Sequence, residues 1–128
     1  MENREKQLKN ILPLIEGNKP TDSPNEAFQN DTLRPVLKFQ NDLIIQYFEN
    51  FIAENKIDFA LLKYSHKITK VHDLFKTNIQ FKQFYLGLIV GYFTKADFVF
   101  YSLNKKEVNK RIIAMLIERI CSQIESIK

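Results

Sequence analysis

The chain has 128 residues, 45% hydrophobic and 27% charged, with a net charge of +4. This globular balance suits one domain over residues 1–128, whose core would bury roughly two thirds of the unfolded surface. One cysteine, Cys121, excludes an internal disulfide, and the longest apolar run, residues 84–93, falls short of the about 20 residues a membrane span needs.

The charged, mixed-sign start, Met1 to Gln7, is followed by no apolar stretch that would form a signal-peptide core. With the lone thiol, this gives the expectation of a cytoplasmic protein. Residues 3–12 read as a short helix with Leu8, Ile11 and Leu12 on one side, ended by Pro13, whose ring clashes with the preceding turn. Residues 17–24, Gly-Asn-Lys-Pro-Thr-Asp-Ser-Pro, are the one clear loop and the expected flexible segment. Ser23 then reads as a cap, with Pro24 in the first turn and Glu26 closing a capping box.

Thr32 reads as a second cap, with Pro35 in the first turn of a long helix running to about Asn55. Val36, Leu37, Phe39, Leu43, Ile44, Tyr47, Phe48, Phe51 and Ile52 give it a wide apolar face. Asp58 opens a short helical turn over 59–62. Ser65 caps a helix over 66–76, Asn78 caps one over 79–93, and Thr94 begins another through about Leu103. The last helix starts near Asn104 and carries the stripe Val108, Ile112, Met115 or Leu116, Ile120, Ile124 and Ile127. No segment alternates with period two between hairpin turns. The expected fold is therefore all-α, a compact bundle of six or seven helices, centred on those near 33–55, 79–93 and 105–127.

The helix over 79–93 is the most informative stretch. It is apolar nearly all round, which predicts a buried central position. Gly87 and Gly91, four residues apart, share one face. A glycine inside a helix is less stable than alanine by about 1 kcal/mol, so two of them predict close approach of a neighbouring helix. A dimer seam or a ligand groove beside the bare backbone are the alternatives.

No constellation identifies a reaction. His66 and His72 are the only histidines, and six helical residues set them about 120° apart. They lack the companions of a metal site, and no cofactor motif is present. Cys121 lies near a helix end, where the dipole disfavours a thiolate. No catalytic residue is assigned.

Charge is uneven along the chain. Residues 1–58 hold seven Lys/Arg against ten Asp/Glu, net −3, while residues 59–128 hold twelve against five, net +7. Either the halves pair, or the basic half faces a polyanion. Arg34, at a helix start beside Pro35, reads as a corner clamp onto a carbonyl or a carboxylate such as Glu118, with anion contact as the sharper alternative. Lys105, Lys106, Lys110 and Arg111 cluster where the last helix begins, and Glu107 pairs with Arg111 at i, i+4. Lys38 and Asp42 have the same spacing. Without a helix-turn-helix pattern or rings interleaved with the lysines, the basic cluster reads as a solvated face before a nucleic-acid contact.

The segments Phe28 to Asn41, Gly87 to Thr94 and Asn109-Lys110-Arg111 resemble a family of small uncharacterised bacterial proteins, some of whose members are labelled glyoxalase. That label implies paired βαβββ units and a metal held by His and Glu, for which this sequence offers neither the strands nor the histidine spacing. No catalytic residue is carried over; the resemblance implies a stand-alone helical protein. The functional expectation is a non-catalytic helical interaction or structural protein that forms a homodimer through apolar surface left outside the core. Nucleic-acid binding by the basic half comes second. A small-ligand pocket near Gly87, Gly91 and Arg34 comes third.

Overall fold

The structure, a computed structural model, describes residues 3–127. Within them run α1 (Arg4–Ile11), α2 (Pro24–Phe28), α3 (Arg34–Phe39), α4 (Asn41–Glu54), α5 (Tyr64–Thr77), α6 (Ile79–Val90), α7 (Lys95–Leu103) and α8 (Lys105–Ser122). No strand occurs among the described residues. A π-helical stretch, Gln29–Leu33, joins α2 to α3 without a gap, which leaves seven helical rods among the described residues, within the six or seven that the sequence predicts. No helix among the described residues is long and apolar enough to cross a membrane.

Side-chain caps open four of the eight described α-helices, α1, α2, α6 and α7. Ser23 Oγ accepts from the Glu26 N–H at 3.3 Å, and Asn78 Oδ1 accepts from the Phe81 N–H at 2.9 Å. Thr94 and Asp97 form a reciprocal capping box, with both bonds at 3.0 Å. The box predicted at Ser23 is only half formed, because the Glu26 carboxylate accepts instead from the Thr21 hydroxyl.

Thr32 caps nothing. The backbone remains helical through it, and its hydroxyl reaches Asp97 at 3.3 Å. The wider π-turn has two physical reasons. Pro35 would press its ring on the carbonyl one α-turn back, and widening relieves that clash. Phe28 and Leu33, five apart, also both reach the core.

Ser65 is likewise no cap, since the Lys67 N–H already bonds the Lys63 carbonyl and α5 begins at Tyr64. The long helix near 33–55 is bent at Gln40, with φ −87° and ψ 3°. Gln40 is buried, and its Nε2 donates to the Leu88 carbonyl at 3.0 Å, tying the bend to α6. The last helix stops at Ser122, although Ile124 and Ile127 beyond it remain buried.

The core lies where α4, α5, α6 and α8 meet. Ile44, Phe48 and Ile52 of α4 face Phe81, Tyr85 and Ile89 of α6, and Val108, Ile112, Leu116 and Ile120 of α8 close it. Tyr85 donates its buried hydroxyl to the Ile44 carbonyl at 2.7 Å, and burial, helped by Tyr47, pushes its pKa far up. It therefore stays a neutral donor.

α6 ends at Val90 rather than Phe93. Arg4 fastens that end: its Nε donates to the Phe93 carbonyl at 2.8 Å and its Nη2 to the Gly91 carbonyl at 2.6 Å. These carbonyls follow a helix C-terminus, where cations are favoured. Replacing Arg4 by Met is expected to lower the unfolding free energy by about 1–2 kcal/mol. A urea titration checks this, and an unchanged midpoint would mean that water serves those carbonyls equally well.

Candidate interaction surface

α6 is not buried all round. Phe81, Tyr85 and Ile89 point into the core, but Gln83, Phe84, Gly87 and Gly91 lie on an exposed arc. The predicted close helix packing at the glycines is absent within the chain. A Cβ at Gly87 would meet no heavy atom within 4 Å, and one at Gly91 would meet only the Gly87 carbonyl, at 3.1 Å. Although α6 is apolar nearly all round, α4, α5 and α8 cover only one side of it, which leaves the glycine side outside the core.

One consequence is direct. Gly87→Ala places a methyl in open space and removes a flexible residue from a helix interior. At concentrations too low for association it is expected to raise stability by about 0.5–1 kcal/mol. Thermal unfolding of the dilute protein reads this, and a loss of stability would mean that the added methyl meets an obstacle.

The bare strip has apolar walls. Phe84 is 47% exposed and stacks on Tyr47 with ring centroids 3.9 Å apart. Phe39 and Leu43, which the sequence reading turned inward, are 43% and 53% exposed, and Phe39 meets Tyr92 edge-on at 5.4 Å. The Gln40 bond to the Leu88 carbonyl and the Phe39–Tyr92 contact hold this end of the long helix beside the end of α6. The signal of Phe39 and Leu43 in the sequence was an apolar arc on residues 36–52 wider than one core-facing stripe. Residues 83–93 carry no charge. Burial and the Glu54 charge raise the Tyr47 phenol above its ordinary pKa, so this wall is neutral as well.

The basic residues singled out in the sequence do not converge on this surface. Arg34 lines a pocket of about 450 Å³ with Glu118 and Arg119, yet it donates to the Asn18 amide oxygen and not to Glu118. Asn18 in turn bonds the Asn30 carbonyl, clamping the loop onto the π-turn. Arg119, missed from sequence, donates to Asn41 Oδ1 at 3.2 Å. Burial lowers its pKa; the Glu118 charge opposes that shift and the Arg34 charge adds to it.

The basic cluster itself divides. Arg111 bonds Glu107 at 3.1 Å and Gln29 at 2.9 Å, pinning α8 to the π-turn. Lys105 is exposed and lines no groove with the others, while Lys106 and Lys110 turn together toward α5 and α6. Lys38 and Asp42 form no ion pair, because both point into solvent on either side of the bend. His66 and His72 are exposed, and no three His, Cys, Asp or Glu among the described residues gather as a metal site. No model of a known protein family matches the chain, and neither does any curated protein or solved structure.

Proposed function

We propose that this chain is a helical interaction protein that acts as a homodimer, two copies meeting through the α6 glycine strip. The observation that carries the reading is Gly87, a glycine inside the most apolar helix, which is exposed and has nothing near its absent side chain. Packing within one chain leaves its helical penalty without a compensating contact. A second backbone lying against the strip supplies one.

A second copy is the occupant that suits this surface. In a twofold pair each residue faces a residue of the same patch, so like charges would repel across the seam. Residues 83–93 carry none, and Arg4, at the Gly91 end of the strip, holds its guanidinium on the Gly91 and Phe93 carbonyls. Phe39, Leu43 and Phe84 would flank the strip and supply the apolar area that drives association.

Sedimentation velocity over a wide concentration range tests this. The expected result is a species of twice the 15.2 kDa chain mass that dissociates on dilution. A particle of single-chain mass at the highest attainable concentration would overturn the proposal.

A further inference from the structure

We infer that a groove between α5, α6 and α8 binds a compact ligand carrying contiguous phosphate groups. Four lysines from three helices line it: Lys76 of α5, Lys82 of α6, and Lys106 and Lys110 of α8. The groove is open to solvent and offers about 490 Å³, and no Asp or Glu lines it. None of the four lysines forms an ion pair with a described carboxylate.

The local field adds to that charge. Lys106 stands in the first turn of α8 and Lys82 in the first turn of α6, where the helix dipoles are already positive. The fifth polar group is Asn109. Its Oδ1 accepts from the Tyr101 hydroxyl at 2.6 Å, which leaves the amide N–H donors for the groove. The polar lining is thus all donors, matched by a ligand that is all acceptors. An oligophosphate chain has that character.

The groove's only ring, on Phe75, is buried, so no exposed aromatic offers the stacking platform that single-stranded nucleic acid uses. The same observation favours a compact phosphate chain over a polynucleotide. The phosphate chain has two sources, free tripolyphosphate or a nucleoside triphosphate, whose non-phosphate part would rest on Leu86 and Ile113.

Titration calorimetry in low-salt buffer tests the site with tripolyphosphate, ATP, orthophosphate and oligothymidylate as probes. Tripolyphosphate is expected to bind at least about tenfold tighter than orthophosphate. The double substitution Lys106→Gln, Lys110→Gln should weaken it at least about tenfold, with unchanged circular dichroism, since both side chains are exposed. The charge-matched control Lys95→Gln, Lys105→Gln should change it less than about threefold, because neither residue lines the groove. Tighter binding of ATP than of tripolyphosphate assigns the nucleoside source; equal binding assigns the phosphate chain alone. Equal weakening in both double variants, preference for oligothymidylate, or no binding at low salt would each overturn the inference.

Discussion

Phe81→Ala is expected to lower the unfolding free energy by about 3–5 kcal/mol. Phe81 is fully buried where three helices meet. Its ring lies 4.8 Å from Phe51 of α4, 4.8 Å from Phe75 of α5 and 5.0 Å from Tyr85 of its own helix, with Tyr47 and Phe48 at 6.0 and 6.2 Å. Aromatic side chains are stiff, so the surrounding rings close over a vacancy only by rotating away from one another. Most of the cavity should persist. Urea denaturation measures the loss directly. Phe84→Ala, on the exposed side of the same helix, is the comparison and should lose less than half as much. Equal losses would mean that the inner and outer faces of α6 are wrongly assigned.

Gly87→Leu has the second large effect, and it falls on assembly rather than folding. Within one chain the new side chain enters open space and the glycine penalty is removed, so the variant should unfold no lower than the dissociated wild-type chain. Across the proposed seam it meets the facing backbone, and twofold symmetry applies the clash twice. At about 1–3 kcal/mol for each overpacked contact, the pair loses about 2–6 kcal/mol. That corresponds to a dissociation constant raised roughly thirtyfold at the low end and far more at the high end. Light scattering on the variant should give the single-chain mass where wild type gives the dimer. A folded variant that still dimerises as well as wild type would rule out a close backbone approach at Gly87.

The helices were largely legible in the sequence because their stop and start signals are local. Pro13, Ser23, Asn78 and the Thr94/Asp97 pair act within one turn of themselves, and the stripe from Val108 to Ile127 repeats at helical spacing. Two of the failures come from tertiary context. Thr32 has the chemistry of a cap, but Phe28 and Leu33 must both reach the core, and the chain meets that demand by a π-turn rather than a break. The bend at Gln40 depends on a carbonyl of Leu88, 48 residues away.

The surfaces were less legible. That Gly87 and Gly91 share a helix face follows from their spacing, but which way that face points depends on how many neighbours α6 has. The same limit hid the lysine groove. Lys106 and Lys110 were visible as a cluster, whereas Lys76 and Lys82 join them only once α5, α6 and α8 are packed together. Arg111, adjacent in sequence, belongs to a different contact with Gln29.

Disulfide trapping at the strip tests the proposed seam most directly. Gly87→Cys would be made in a Cys121→Ser background, with Ser102→Cys, exposed on α7, as the control. Burial raises the pKa of the native Cys121 thiol, and removing it leaves one reporter per chain. A twofold pairing with its axis at Gly87 brings position 87 close to its own counterpart, so mild oxidation should convert the Gly87→Cys protein to a covalent dimer much faster than the control. Equal, slow cross-linking at both positions would contradict the seam.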